Sequence, residues 1–402
     1  MTEQYGMYGL PTEVKFCKKC TLNNQRPSST IEFRNKPGDV KRPIQFDEDG
    51  VCEACRFVPK KKTIDWQARK QDLMDLCDRF RKKDGSFDII VPGSGGKDSV
   101  MAAHILKYEY NMHPILITWP PHLYTRVGKR NFDAWLNSGF ANYTYHPNQK
   151  VHRLLTKLAF ENLVHPFQPF IIGQKNLAPK LSILLNIPLI MYGENEAEYG
   201  NPIADNISAK RSTQYYSMEQ DLDNIYLGGV SARELMKTYD LSLADLEAYL
   251  PAEPGKLDAV GTEVHYLGYY LKWHPQETYY YSVEHTDFLP NDFRTEGSYS
   301  KYSSIDDKID WLHYYTTYIK FGIGRATYDS AQEIRNGDIT RDEGISLIKR
   351  FDGEFPEMYL DECLAYMGIT RERFHEIIEK ARPPHLWKKE NGTWELRHTI
   401  WK

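Results

Sequence analysis

Phe87-Asp88-Ile89-Ile90-Val91-Pro92-Gly93-Ser94-Gly95-Gly96-Lys97-Asp98-Ser99-Val100 is the stretch on which the reading of the chain turns. A β-branched apolar run passes into a loop of small residues. From Asp98 to about Tyr110 the apolar residues then recur at helical spacing, so the stretch predicts strand, loop, helix. Small side chains let the backbone N–H groups of such a loop point inward at anionic oxygens, and the helix N-terminus adds partial positive charge. Ser94, Gly95, Gly96 and Ser99 are therefore the expected phosphate cradle. Lys97 would supply a full positive charge, and Asp98 is expected as a magnesium-side acid or an N-terminal helix acid. The loop is not a Walker A motif, which would need Gly where Val91 stands and Ser or Thr where Asp98 stands.

The surrounding chain of 402 residues is longer than one core usually serves, so two compact units and a small appendage are expected. Its 51 basic and 55 acidic residues leave a net charge of −4, which gives no global field for nucleic acid. No apolar run approaches the roughly 20 residues of a membrane span. Met1-Thr2-Glu3-Gln4 lacks the basic and apolar regions of a signal peptide, so the expectation is a cytoplasmic protein with no membrane partner.

Six cysteines are too few for a disulfide scaffold, and four of them form two Cys-x-x-Cys pairs, Cys17 with Cys20 and Cys52 with Cys55. Each pair can hold one edge of a tetrahedral ion, and four thiolates fill a zinc shell with no open position. Residues 1–62 are accordingly read as a small zinc-stapled ribbon, mostly structural. Redox dithiols or unrelated buried cysteines do not account for the repeated spacing. Lys60-Lys61-Lys62 reads as a solvated linker start, and Cys77, among Leu and Phe at helical spacing, as core.

Beyond residue 63 strands and helices alternate: strands at 87–91, 114–118, 141–145 and 188–192, with helices at 65–83, 98–110, 130–137, 151–162 and 176–186. That rhythm predicts an α/β domain over 63–204, a parallel sheet covered on both faces, with ligands at the carboxyl ends of its strands. The fourth strand ends at Gly193-Glu194-Asn195-Glu196-Ala197-Glu198. Gly193 permits close backbone approach, Glu194 and Asn195 are expected at the nucleotide, and Glu194 joins Asp98 as a magnesium candidate; an acidic, Asn-capped helix start is the plainer alternative.

Residues 205–402 read as mainly helical, with a helix over 231–250, a tyrosine-rich run at 264–281 that suits packing or a binding wall, and a helical tail. Within Lys320-Phe321-Gly322-Ile323-Gly324-Arg325-Ala326-Thr327, a Lys and an Arg bracket two glycines, an arrangement suited to clamping an anion. Arg325 is thus a candidate catalytic residue beside Lys97 and Asp98; a glycine-bent helix junction is the alternative.

Ser-Gly-Gly-Lys-Asp-Ser at 94–99 resembles the PP-loop of the ATP-pyrophosphatases, the adenine nucleotide alpha hydrolase-like fold. Taken with the twin cysteine pairs, Gly193-Glu194-Asn195 and the 320–327 segment, it makes nearly the whole chain similar to the N-acetyl sugar amidotransferases of bacterial surface-polysaccharide pathways. That resemblance implies ATP and Mg²⁺ at the loop, Zn²⁺ at the cysteines and a nucleotide-linked acetamido sugar as acceptor. It also implies ammonia from a partner glutaminase like that of histidine biosynthesis, with a barrel-type conduit as a further candidate subunit. A PP-loop tRNA thiolase with a zinc RNA-binding module is the rival. It is disfavoured by the acidic balance and by the lack of any cysteine between Cys77 and Cys363.

Overall fold

Five parallel strands form the central sheet: β1 (Ile89–Pro92), β2 (Pro114–Thr118), β3 (Ala141–Thr144), β4 (Leu189–Tyr192) and β5 (Glu263–Tyr266), in the order β3-β2-β1-β4-β5. The structure, a computed structural model, describes residues 5–28, 30–194 and 208–402. Alternate residues of the strands enter different cores, as burial on both faces of a parallel sheet requires. Ile90, Ile117, Ile190 and Val264 pack into one core; Ile89, Val91, Leu116 and Met191 pack into the other.

The first core is covered by α5 (Gln149–Leu163) and α6 (Gln168–Leu185), the second by α2 (Trp66–Phe80) and α3 (Lys97–Tyr108). Asp65 caps α2 by accepting from the Gln67 and Ala68 amides, and Cys77 is fully buried on that helix's apolar face. The α4 helix (Arg126–Asn137) crosses between β2 and β3. Strand order reverses at β1, so a crevice opens beyond the carboxyl ends of β1 and β4, where the loop after β1 lies.

The sheet does not end at residue 204. Its fifth strand comes from the region expected to be helical: β5 pairs in register with β4, Leu189 opposite Glu263 and Tyr192 opposite Tyr266. The four-residue strand leads straight into a helical turn over Leu267–Tyr270, two elements too short to show a period of their own. The helix expected over 231–250 is likewise broken, into Ala232–Thr238, Leu243–Leu246 and a 3₁₀ turn at Glu247–Tyr249. Asp240 takes a left-handed conformation (φ 52°), and Ser242 with Asp245 opens a new helix through a capping box.

The C-terminal half is otherwise helical: α7 (Pro275–Thr286), α8 (Lys308–Phe321), α9 (Arg325–Asn336), α10 (Arg341–Phe351), α11 (Leu360–Met367) and α12 (Arg371–Lys380). Thr340 and Glu343 form a capping box at the start of α10. The tail is not helical throughout, because Trp387–Glu390 and Thr393–Leu396 pair as an antiparallel hairpin. Its turn is Asn391-Gly392, both at positive φ (50° and 81°), the dipeptide that a tight hairpin turn favours.

The N-terminal cysteine module leads into α1 (Glu53–Thr63). The Lys60-Lys61-Lys62 run is helical rather than linker, and Lys61 is buried, donating to the Trp273 carbonyl at 2.6 Å and to Asn336 Oδ1 at 3.3 Å. Among the described residues no helix is long and apolar enough to cross a membrane.

Candidate functional site

Glycine makes the loop after β1 possible. Gly95 sits at φ 91°, and a Cβ there would lie 2.7 Å from the Phe132 Cα of α4. Gly96 is the N-cap of α3, and space is open where its Cβ would stand. Gly193, at the end of β4, would place a Cβ 2.2 Å from the Asp98 carbonyl oxygen, so β4 can pass the first turn of α3 only because residue 193 has no side chain. Ser99 Oγ donates back to the Gly96 carbonyl at 2.9 Å, and Ser94 Oγ donates to Asp306 Oδ2 at 2.7 Å. Both serine hydroxyls therefore brace the loop from within.

Gly95, Gly96, Lys97 and Asp98 form one wall of a cavity of about 400 Å³. Lys97 Nζ lies 2.6 Å from Asp98 Oδ2, and Trp273 Nε1 donates to Asp98 Oδ1 at 2.9 Å. The Lys97 ammonium also sits 5.7 Å from the Trp273 ring centroid. Ser282 of α7 donates to the Lys97 carbonyl at 2.9 Å, so the first turn of α3 is held by a segment nearly 200 residues away. The Asp98 carboxylate is thereby fixed beside the Gly96 and Lys97 end of a helix, a setting that suits an anionic ligand carrying its own cation.

The facing wall is built from the C-terminal half. Asp306 precedes α8, Tyr314 and Thr317 come from α8, and Arg325, Tyr328, Asp329 and Gln332 come from α9. Arg325 Nε lies 3.0 Å from Asp329 Oδ1, and Arg325 Nη1 donates to the Tyr314 hydroxyl. Burial would depress the guanidinium, but Asp329, Tyr314 and Asp310 hold it charged. Burial also raises Asp306 on this wall, and behind the wall it brings Asp310 to about 7 despite the Arg325 charge. The adjoining Asp307 caps α8 and accepts from the buried His122 ring at 2.8 Å, which fixes the approach of α8 to the sheet.

Of the site residues expected from sequence, Gly95, Gly96, Lys97, Asp98 and Arg325 converge on this cavity. Ser94 and Ser99 support it from behind, and Gly193 sets the packing of β4 on α3. Glu194 is not part of the cavity lining among the described residues; its carbonyl accepts from the Gly268 amide at 3.2 Å. Asn195, with Glu196 and Glu198, lies outside the described residues. The Lys320 half of the expected clamp is a correction: Lys320 turns away from Arg325 and donates to the Leu163 carbonyl at 2.9 Å. Gly322 ends α8 in a left-handed conformation (φ 66°), so residues 320 and 325 belong to different helices with different headings.

Other lining residues carry no motif. Trp273, Asp306 and Asp329 reach the cavity only through tertiary folding, and Arg26 arrives from the N-terminal module. The cysteines explain how Arg26 is held. Cys17 Sγ lies 3.9 Å from Cys55 Sγ, Cys20 Sγ lies 3.7 Å from Cys52 Sγ, and all four sulfurs are within 4.8 Å of one another. Thiolates about 2.3 Å from a tetrahedral ion stand about 3.8 Å apart, so the cluster fits one four-coordinate metal ion. The Cys17 sulfur also accepts from the Lys19, Cys20 and Cys52 amides at 3.4 to 3.5 Å. This metal-binding module is docked on the helical region: Arg341 donates to the Cys17 and Cys20 carbonyls at 3.2 and 3.3 Å, and Thr21 Oγ1 lies 3.1 Å from Ser330 Oγ on α9.

Residues 296–400 match the family model for the LPS biosynthesis protein WbpG-like, C-terminal domain. The C-terminal region resembles a lipopolysaccharide-biosynthesis domain. Asp306, Arg325 and Asp329, the facing wall of the cavity, all lie inside the matched segment. A stretch of 78 residues is 26% identical to the uncharacterized protein MJ1599 of Methanocaldococcus jannaschii, covering 19% of this chain and 28% of that protein. Among solved structures, the U34-tRNA thiolase NcsA from Methanococcus maripaludis with its 4Fe-4S cluster aligns over 79% of this chain and 89% of its own. The identity there is 14% and the TM-score 0.30, too low to carry an argument.

Proposed function

We propose that the protein is an ATP-dependent amidotransferase that converts an acetamido group of a nucleotide-linked bacterial surface sugar into an acetamidino group. One observation carries the reading. Gly95, Gly96, Lys97 and Asp98 face, across a single cavity, a wall made by the segment that matches the lipopolysaccharide-biosynthesis family.

An acetamido oxygen is a poor leaving group. In the proposed reaction it attacks the α-phosphorus of ATP, pyrophosphate departs, and the amide becomes an O-adenylyl imidate. Ammonia then adds to the imidate carbon, AMP leaves with the C–O bond electrons, and a proton is lost to give the amidine. The Gly95 and Gly96 backbone and Lys97 would stabilise the pyrophosphate, and Arg325 would face the negative charge on the other wall. Magnesium would add charge neutralisation at the phosphates, with Asp98 as the carboxylate to hold it; Glu194 is the further candidate at the end of β4. The chain needs no nucleophile of its own, only orientation and exclusion of water from the activated imidate.

Zinc is the ion we assign to Cys17, Cys20, Cys52 and Cys55, in a structural role, because a complete thiolate shell leaves no position for substrate. Ammonia would come from a glutaminase partner: Cys77 and Cys363 are both buried in apolar cores, so neither serves as a glutaminase nucleophile. The assigned setting is the cytoplasm.

The test is AMP and pyrophosphate release from ATP with ammonium chloride, using a panel of nucleotide-linked acetamido sugars and, in parallel, bulk tRNA. The expected result is sugar-dependent AMP release and a product about one mass unit lighter, lost in Arg325→Ala. Turnover stimulated by tRNA alone would overturn the reading.

A further inference from the structure

A second cavity, of about 190 Å³, adjoins the first and shares Arg26, His313, Thr317 and Tyr328 with it. Its own walls add Lys41, Glu32, His165 and Lys320. Arg26 and Lys320 are each 8% exposed, so their charges are largely withdrawn from water. The cations meet mainly neutral partners: Lys320 donates to the Leu163 carbonyl at 2.9 Å, Lys41 to Asn35 Oδ1 at 3.0 Å, and Arg26 Nη1 to the Pro27 carbonyl at 3.2 Å. Among the described residues Arg26 Nε is buried with no hydrogen-bond partner. Among the described residues the one carboxylate in the lining, Glu32, leans towards His165, 3.8 Å from its Nε2. Among the described residues no carboxylate is within ion-pair distance of Arg26, Lys41 or Lys320.

Glu32 offsets part of the charge of Lys41 and Lys320, and Asp39 part of that of Lys41, but without a direct ion pair burial outweighs them, and the cost appears on the cations themselves. Burial lowers Lys41, and burial together with the Lys41 charge brings Lys320 down to about 7. An arriving oxyanion would relieve both. An Arg, whose planar fork suits phosphate or carboxylate oxygens, already stands between the two cavities.

We propose that this annex is the anion subsite for the acceptor, where Arg26, Lys41 and Lys320 hold an oxyanion of the substrate while its acetamido group lies against the Gly95–Asp98 wall. The assignment rests on the amidotransfer reading. The oxyanion is the diphosphate linking sugar to nucleoside, or a carboxylate carried by the sugar. It also gives the cysteine module a task beyond folding: both Arg26 and Lys41 lie between its two cysteine pairs, so the metal holds two of the subsite's three cations.

The experiment uses the full-length, metal-loaded chain and two probes, uridine 5′-diphosphate and glucuronic acid. Reaction of Lys41 with acetic anhydride is followed by peptide mass spectrometry, and probe affinity is measured by calorimetry. Lys41 lines only the annex, so its protection reports that cavity and not the ATP site. Protection by uridine diphosphate, with affinity weakened tenfold or more in Lys41→Gln and Arg26→Gln and recovered in Lys41→Arg, assigns the diphosphate. The same pattern with glucuronic acid assigns the carboxylate. Protection by neither probe, or unchanged affinity in both Gln variants, overturns the proposal. Because the wild-type protection needs neither ATP nor ammonia, it separates failure of the subsite from failure of the amidotransfer reading, which AMP release tests by itself.

Discussion

Ser94 Oγ donates a 2.7 Å hydrogen bond to Asp306 Oδ2, joining the loop after the first strand to the residue that precedes α8. Asp306 is wedged there: a Cβ on Gly128 of α4 would come within 2.4 Å of its Cα. The loop and the matched C-terminal segment are therefore a single constructed unit rather than two surfaces that happen to face each other. Asp306→Ala is expected to release the loop and lower kcat/KM for ATP roughly 100-fold, the scale of a misplacement of about 1 Å. Burial already disfavours the Asp306 carboxylate, so thermal stability should change little. An unchanged kcat/KM in the AMP-release assay would show that the hydrogen bond has no part in positioning.

The metal module predicts a coupled loss. Cys20→Ser should reduce bound zinc below about half an equivalent and lower the melting temperature, because a structural metal contributes its binding free energy to folding. At temperatures where the variant stays folded, KM for the acceptor should rise more than KM for ATP, since Arg26 is carried by the module and the loop is not. Metal analysis, thermal unfolding and the two KM values check this together. Equal changes in both would indicate a general loss of structure.

Lys320 sets a pH dependence whose sign follows from its lowered value of about 7. Between about 7 and the ordinary lysine range the unfolded chain binds a proton at this residue that the folded chain does not, so its contribution to stability improves as pH rises. Below about 7 both states are protonated and the full cost of a buried charge remains. Replacing Lys320 by Met should therefore be more favourable, or less harmful, at pH 6 than at pH 9; the lost bond to the Leu163 carbonyl is a constant offset at both. Melting temperatures of wild type and variant at the two pH values, without added phosphate, give the difference. A difference independent of pH would mean that Lys320 stays charged throughout.

The local signals were strong where the physics is local. The run 87–100 specified strand, loop and helix because β-branched residues, small loop residues and helical apolar spacing each act over a few residues, and the two Cys-x-x-Cys pairs specified a metal knuckle through their own spacing. Other local signals conflict with the wider periodicity: Asn391-Gly392 marks a hairpin in a tail expected to be helical, and Ser242 with Asp245 marks a helix start inside a longer expected helix. Arg26, Trp273, Asp306 and Asp329 carry no comparable signature. Their role comes from where packing puts them, and a single Arg or Asp looks alike in sequence whether it is solvated or walls a cavity.

Sequence by itself thus determined the parallel sheet, the glycine-rich loop at its switch point and the cysteine cluster, all set by patterns of a few to a few dozen residues. Tertiary structure decided that the sheet draws its last strand from residues 263–266, that Lys320 and Arg325 part company at Gly322, and that the metal module delivers Arg26 and Lys41 beside the cavity. Those outcomes depend on which surfaces bury one another across hundreds of residues. Burial and charge pairing between distant segments are properties of the packed chain and not of any window along it.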